Sequence, residues 1–230
     1  MSRFAPEDIV RHYGNAHDRI VTLVGSLSEN EAATPVPCLP GWSVHDVVAH
    51  LAANTTDGLA GRLTGIPDDD FTAGQVRERK SATIAELLAE WDGNLPTMRG
   101  VAQAGLAPPQ LAVDAVTHEQ DIREALGAPD VDDRDALRFS LDVFGAGVAS
   151  KMKQADVALH VRAIDSDYSL DAGAGADPAT LRACELDLFR TFAGRRTRAQ
   201  VMAMEWDGDA EAFLPWLNIF GVVPDGEPVA

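Results

Sequence analysis

The first half of the chain carries apolar side chains at three- and four-residue steps, the spacing that marks the buried face of an α-helix. The first such stretch begins at Pro6 and runs to Val24. A second follows a proline-rich loop, where Ser43 and Asp46 have the spacing of an acidic capping box. Its apolar pattern predicts a helix that continues to about Gly65.

The pattern then predicts a loop over residues 67–80 and three further helices. The third helix covers about 84–95, the fourth about 110–126 and the fifth about 133–152. The fourth ends before Gly127, a residue type that favours the left-handed conformation found just after helices. Four or five antiparallel helices joined by loops make a helical bundle.

After residue 153 the period changes from helical to alternating, which is typical of strands. We predict two paired strands, a short helix, and a turn followed by a final amphipathic helix, over residues 157–165, 167–173, 187–197 and 206–220. The sequence therefore predicts a bundle domain over residues 1–153 and a small α+β domain over residues 154–230.

The chain is strongly acidic, with 36 Asp and Glu against 19 Lys and Arg and a formal net charge of −17. This charge disfavours nucleic acid and anionic membranes as partners, because clustered Lys and Arg are needed to bind phosphates. We expect neither export nor a membrane span, because no apolar signal segment or long apolar run occurs. Two cysteines, Cys38 and Cys184, are too few for a disulfide scaffold. We predict a cytoplasmic protein that binds small ligands or other proteins.

Asp114 and His118 lie four residues apart in the fourth predicted helix, so their side chains project from one face. Such a pair can give two ligands to one cation, and open catalytic sites use three protein ligands and water. His50 fits as the third, since it lies beside the apolar stripe of the second helix, where a polar group needs a partner. An Asp and a His at this spacing are also common on solvated helices, and a core histidine is usually just hydrogen-bonded. Spacing alone leaves both interpretations open.

Three stretches of the chain carry a family resemblance: LPGWSVHDVVAHLA, VDAVTHEQDIREALG, and LFRTFAGRRTRAQ with WDGD after it. They resemble a Pro-Gly-Trp loop before a helix with a metal-binding His, an acidic-x-x-x-His-x-x-Asp helix, and the Gly-Arg-Arg and Gly-Asp segments of a C-terminal domain. These are features of the mycothiol-dependent maleylpyruvate isomerase family, within the DinB-like metal-binding superfamily. The resemblance implies a mainly α fold, with an N-terminal DinB-like four-helix bundle and a small C-terminal α+β domain.

Carried over by position, the resemblance implies that His50, Asp114 and His118 are the metal ligands. The family usually has Glu where this chain has Asp114, so the carboxylate is one methylene shorter. Its contact with the metal could therefore be shifted, water-mediated or weaker. Asp121 resembles the family's trailing Asp and could orient His118 from behind, or pair with a nearby Arg.

Four arginines are candidates for binding an anionic substrate or thiol in this acidic chain: Arg77, Arg79, Arg195 and Arg196. For Arg195 and Arg196, an interdomain ion pair is an interpretation at least as good.

The resemblance also implies a divalent cation, zinc in the first place, that coordinates the low-molecular-weight thiol mycothiol and lowers its pKa. In the family's chemistry the thiolate adds to a cis double bond conjugated with a carbonyl. The adduct rotates, and elimination returns the trans isomer. We predict a metal-dependent isomerase or thiol S-transferase acting on a small electrophilic substrate, as a monomer or homodimer. The alternatives are a non-catalytic metal- or small-molecule-binding protein on the same scaffold, and an interaction module without metal.

Overall fold

The computed structural model describes residues 4–63, 65, 67–175 and 178–226. Contacts between residues divide the chain into two compact units, Met1–Val131 and Asp132–Ala230. Among the helices described, none combines the length and the apolar character needed to span a membrane.

The N-terminal unit is built of helices: α1 (Pro6–Val24), α2 (Glu29–Ala32), α3 (Val44–Leu59), α4 (Asp69–Glu78), α5 (Ile84–Gln103) and α6 (Gln110–Leu126). The four long helices α1, α3, α5 and α6 pack on one another. This arrangement confirms the predicted four-helix bundle.

The ends of these helices follow from their local chemistry. The Ser43 hydroxyl accepts a hydrogen bond from the Asp46 backbone N–H, and the Asp46 carboxylate accepts one from the Ser43 backbone N–H at 2.9 Å, as the capping box predicts. Helix α6 ends as predicted, before Gly127 with its φ of 62°. Helix α3 ends at Leu59, earlier than predicted, because the chain turns away at Gly61 with a φ of 69°.

The prediction of antiparallel helices throughout is wrong for α3 and α5, which run parallel. His45, near the start of α3, bonds the carbonyl of Ala82 just before α5 at 2.7 Å. Thr56, near the end of α3, accepts a hydrogen bond from Asn94 further along α5 at 2.9 Å. The segment between the two helices is long enough to return the chain to the same end of the bundle. Hydrophobic periodicity could not reveal this, because it does not depend on the direction of a helix.

The predicted loop over residues 67–80 is also wrong, because it contains helix α4. The Asp68 carboxylate begins this helix by accepting the Phe71 backbone N–H at 2.8 Å. Its one buried side chain is polar, that of Gln75. Arg79 ties the helix to α5 by donating to Glu90 at 2.6 and 2.9 Å. Polar contacts hold α4 in place, so an apolar pattern could not predict it.

The core of the bundle contains paired polar groups. Trp91 of α5 donates its indole N–H to the hydroxyl of Tyr13 of α1 at 2.6 Å, and burial raises the pKa of Tyr13. Glu119 of α6 is 0% exposed and accepts hydrogen bonds from Arg19 at 2.8 Å and Arg123 at 3.0 Å. Each buried polar atom in these pairs has the partner that its desolvation requires.

The C-terminal unit consists of α7 (Arg134–Gln154), β1 (Ala158–Ala163), β2 (Ser169–Gly173), β3 (Ala179–Ala183), α8 (Glu185–Phe192), α9 (Arg198–Met202), β4 (Glu205–Asp207), a 3₁₀ turn (Ala210–Phe213) and α10 (Leu214–Leu217). Its sheet has the order β2-β1-β3-β4; β1 pairs antiparallel with β2 and parallel with β3, and β3 pairs antiparallel with β4. The predicted small α+β unit and its first strand pair are confirmed. Strands β3 and β4 were not predicted, and the predicted final helix is reduced to the 3₁₀ turn and α10.

Helix α7 packs on β2 and α8. Phe144 of α7 stacks on Phe189 of α8 at 5.9 Å, and the Tyr168 hydroxyl donates to the carbonyl of Leu141 at 3.2 Å. The compact units therefore divide before α7, one helix earlier than the predicted domain boundary after residue 153.

Candidate metal centre

His50 of α3 and Asp114 and His118 of α6 point to one position inside the N-terminal unit. The Nε2 atom of His50 lies 3.8 Å from Asp114 Oδ2, and the Nε2 atom of His118 lies 3.5 Å from Asp114 Oδ1. One ligand atom from each residue can be chosen so that all three lie within 4.8 Å of one another. The three side chains predicted from sequence to share a cation are therefore brought together.

These separations suit a small cation. Ligand atoms about 2.0–2.1 Å from a tetrahedral zinc ion lie about 3.4 Å apart. The two distances, to Oδ2 and Oδ1 of Asp114 respectively, exceed this by a few tenths of an ångström, and the three ligand atoms lie within 4.8 Å, so the side chains would have to draw closer around an ion. Two imidazoles and one carboxylate are also a donor set that zinc accepts while keeping a position open for a further ligand. The residues present thus fit a divalent cation, including the shorter carboxylate.

The outer nitrogen of His118 is held by Asp121. Its Nδ1 lies 3.0 Å from Asp121 Oδ2, and Asp121 is 0% exposed. A carboxylate only accepts hydrogen bonds, so Nδ1 carries the proton and donates it. The lone pair of His118 is then on Nε2, the nitrogen that faces Asp114. The other carboxylate oxygen of Asp121, Oδ1, accepts a hydrogen bond from the Cys38 thiol at 3.2 Å.

The outer nitrogen of His50 is fixed through two residues. Gln75 of α4 donates its Nε2 to Asp57 Oδ2 at 2.6 Å, which turns its Oε1 toward His50. The Nδ1 of His50 donates to that oxygen at 2.9 Å. His50 therefore also has its lone pair on Nε2, facing Asp114. Both histidines are held in the tautomer that a metal ligand requires.

Asp114 is a carboxylate at neutral pH. Burial alone would raise its pKa, but the neighbouring His118 and His50 and a hydrogen bond from Asn54 outweigh burial and hold the pKa of Asp114 at about 2. Its side chain is 36% exposed, whereas the imidazoles of His50 and His118 are 6% and 7% exposed. The centre is thus closed around the histidines and open on the side of Asp114.

Two further side chains surround the centre. Asn54, one helical turn after His50, donates its amide to Asp114 Oδ2 at 2.9 Å and lies 3.0 Å from His50 Nε2. Trp42 packs edge to face on the imidazole of His50, with ring centroids 5.4 Å apart. The indole restricts the approach of water to His50 from that side.

The four candidate arginines have different surroundings. Arg79 is paired with Glu90, whose hydrogen bonds raise the pKa of Arg79. Arg77 is exposed, and its guanidinium makes no ion pair with another residue in the part of the chain that is described. Arg195 and Arg196 belong to the C-terminal unit, where Arg195 donates to the carbonyl of Ala193 at 2.9 Å and Arg196 to Asp187 at 2.9 Å. A substrate-binding role for these arginines stays a prediction.

Asn54, Gln75 and Asp57 complete the hydrogen bonding of the centre and were not predicted from sequence. Asn54 could have been found, because a residue four positions after His50 lies on the same helix face. Gln75 lies in the segment predicted to be a loop, where no pattern pointed toward His50.

Replacing Asp121 by asparagine should weaken zinc binding by about 10- to 100-fold, the usual cost of losing an outer partner of a metal-bound histidine. The asparagine amide can donate to Nδ1 of His118, which would place the proton on Nε2, the ligand nitrogen. Competition with a chelator of known affinity measures the change. Asp130→Asn is the matched control. The Asp130 carboxylate accepts a hydrogen bond at 2.5 Å from Gln120, the neighbour of Asp121 in α6, and contacts none of the three candidate ligands. Equal zinc affinity in both variants would contradict the role assigned to Asp121.

Comparison with known proteins shows what this chain is similar to. Residues 13–123 match the family model described as the mycothiol maleylpyruvate isomerase N-terminal domain. Two solved structures share the fold. One is a histidine-to-alanine mutant of the mycothiol-dependent maleylpyruvate isomerase, with 13% sequence identity, a TM-score of 0.57 and coverage of 88% of this chain and 93% of that chain. The other is the mycothiol-dependent maleylpyruvate isomerase, with 14% sequence identity, a TM-score of 0.55 and coverage of 84% of this chain and 90% of that chain. No curated protein matches the sequence significantly.

Proposed function

Since residues 13–123 match the family model of the mycothiol maleylpyruvate isomerase N-terminal domain, we propose that this protein is a divalent-metal-dependent enzyme that uses the thiol mycothiol. It would act on a small electrophilic substrate, as an isomerase or a thiol S-transferase. The resemblance inferred from the sequence motifs is confirmed by the family match and the shared fold. The metal, the thiol and the class of reaction are the content of the proposal.

The observation that carries the proposal is the convergence of His50, Asp114 and His118, with both imidazoles presenting the Nε2 lone pair to one point. A buried histidine with a purely structural role needs no such agreement between tautomers. Here two unrelated acceptors, Gln75 of α4 and Asp121 of α6, fix the same nitrogen as the free one. Zinc is the cation favoured by this donor set.

A bound divalent cation would supply one piece of chemistry, a lowered pKa for a coordinated thiol, so that thiolate is available at neutral pH. The residues of the chain would do the rest. His50, Asp114 and His118 would fix the position of the thiol, and the half-exposed Asp114 side leaves room for the substrate to approach. Asp121 and Gln75 would keep both imidazoles oriented, and Trp42 would exclude water beside His50.

In the isomerase reaction, the thiolate sulfur would bond to one carbon of a cis double bond conjugated with a carbonyl. The double-bond electrons move onto the carbonyl oxygen as an enolate, and the former double bond rotates. Collapse of the enolate breaks the carbon–sulfur bond and releases the trans isomer and the thiolate. In the S-transferase reaction, the carbon–sulfur bond would remain, and the enolate carbon next to the carbonyl would take up a proton from solvent.

A non-catalytic metal-binding protein is the second candidate, and one observation favours it. Asp114 is shorter than a glutamate, and its carboxylate is already bonded to Asn54. A centre that binds a cation in this way without activating a thiol would serve storage or sensing.

The experiment that tests the proposal has two stages. Purified protein should contain about one equivalent of divalent metal per chain, as one three-ligand centre requires. The metal-loaded protein is then incubated with mycothiol and a panel of cis-dienoates and other electrophiles, and isomers and thiol adducts are followed. Turnover should depend on both mycothiol and metal and be lost in His118→Ala. Metal without turnover above that variant would support the binding protein, and a protein that takes up no metal would exclude both candidates.

A further inference from the structure

The side-chain amide of Asn54 occupies the atoms that a cation would need. Its Nδ2 lies 3.0 Å from His50 Nε2 and 2.9 Å from Asp114 Oδ2. An amide nitrogen carries two hydrogens and only donates, so His50 and Asp114 both act as acceptors. An imidazole Nε2 has a single lone pair, which cannot bond an N–H and a cation together.

The amide cannot turn over in place to present its oxygen instead. Asn54 Oδ1 accepts a hydrogen bond from Gln75 Nε2 at 3.1 Å. If the amide flipped, two NH₂ groups would face each other. Gln75 cannot flip to relieve this, because its Nε2 donates to Asp57 and its Oε1 accepts from His50 Nδ1. The orientation of Asn54 is thus fixed by a chain of donors and acceptors that ends at the Asp57 carboxylate.

Asn54 has another way to free the ligand atoms. Its side chain is half-buried and contacts Asp114, the most exposed of the three candidate ligands. Rotation about its Cα–Cβ bond would carry the amide away from His50 and Asp114. Such a rotation gives up the three hydrogen bonds to His50, Asp114 and Gln75 together.

We propose that Asn54 is a positioning residue that covers the cation centre, competes with a divalent cation for His50 and Asp114, and thereby sets the affinity of the centre. The inference rests on the proposed function for the cation itself. Beyond the proposed function, the inference is that the native chain binds the cation more weakly than its three ligands allow. The hydrogen bonds from Asn54 also give His50 Nε2 and Asp114 Oδ2 a partner when no cation is bound.

The test is the zinc affinity of the full chain, measured by competition with a chromophoric chelator, for wild type, Asn54→Ala and Asn54→Leu. Leucine is bulkier than asparagine but has the same number and branching of side-chain heavy atoms and no amide, so it separates the loss of hydrogen bonds from the loss of packing. Both variants should bind zinc about tenfold more tightly than wild type, because the two competing hydrogen bonds are absent. The matched control is Asn94→Ala, since Asn94 donates to Thr55 and Thr56 of α3 but contacts no ligand.

Unfolding of the metal-free proteins provides a second readout. Asn54→Ala and Asn54→Leu should unfold at slightly lower denaturant concentration than wild type while binding zinc more tightly. If Asn54 had a merely structural role, replacing it would lower both stability and zinc affinity. A loss of stability together with a gain in zinc affinity therefore identifies Asn54 as a competitor of the cation.

Each outcome decides the question. Equal or weaker zinc binding in both Asn54 variants would overturn the inference, and weaker binding would indicate that Asn54 serves the cation. If neither wild type nor the Asn54 variants bind zinc, the inference also fails, because removing the cover should open the centre. If only the variants bind zinc, the inference stands and the proposed metal enzyme fails for the native chain, so the two failures are distinguishable.

Discussion

Replacing His118 by alanine will abolish the stabilisation of the protein by zinc. A cation that binds the folded chain but not the unfolded chain stabilises it by about 2.7 kcal/mol when its free concentration is 100 times the dissociation constant. Without His118, His50 and Asp114 remain, and two ligands from different helices do not hold zinc at the concentrations where three do. Zinc should therefore raise the free energy of unfolding of wild type and leave that of His118→Ala unchanged.

Urea unfolding with zinc and with a chelator measures this difference. His160→Ala is the control, because His160 is a half-exposed histidine on β1 that pairs with Asp171 at 2.7 Å in the other unit. That variant should keep the full response to zinc. Zinc stabilisation that survives in His118→Ala would mean that the cation binds elsewhere.

Replacing Glu119 by alanine will destabilise the N-terminal unit by about 3–5 kcal/mol, the usual cost of breaking a buried ion pair. Glu119 is fully buried, and its two oxygens accept hydrogen bonds from Arg19, at 2.8 Å to each, and from Arg123 at 3.0 Å. Its removal leaves two guanidinium groups against a desolvated cavity. Arg19 comes from α1 and Glu119 from α6, so the ion pair between these helices is lost with the carboxylate.

The matched control is Glu205→Ala, which removes an exposed carboxylate 3.2 Å from Arg182. Exposed pairs contribute about 0–1 kcal/mol, so this variant should unfold almost as wild type does. Unfolding of each variant in urea, followed by helical circular dichroism, gives the two free energies. A loss below about 1 kcal/mol for Glu119→Ala would contradict the importance assigned to this pair, because it would equal that of an exposed pair.

The parts of the fold that sequence predicts are those that bury apolar faces. Helices α1, α5, α6 and α7 follow hydrophobic periodicity, and Ser43 and Gly127 mark two of the helix ends. Helix α4 was missed because its buried side chain is polar and its contacts are hydrogen bonds. Strand β4 has three residues, too short for an alternating pattern to stand out. Strand β3 was missed although it is as long as β2, which was predicted.

The three candidate ligands of the centre could be predicted from sequence, but part of their surroundings could not. Asp114 and His118 were identified by their spacing, and His50 by its place beside an apolar stripe. The family motifs joined them into one site, and the structure brings the three side chains together. Gln75 follows no spacing rule, because it reaches His50 from another helix and its role depends on the tertiary fold. Sequence therefore predicted the three candidate ligands and the contact of Asp121 with His118, but not the hydrogen bonds that orient His50.

Helix α4, which carries Gln75, is the most weakly attached element around the centre, and its attachment can be measured. Only one of its side chains is buried, and polar contacts attach it to the bundle, so it belongs to the class of segments that open locally at low cost. Each such opening would withdraw Gln75 from His50 and free the imidazole to change tautomer. Amide hydrogen exchange in α4 would then report how firmly His50 is held, without any cation, thiol or substrate present.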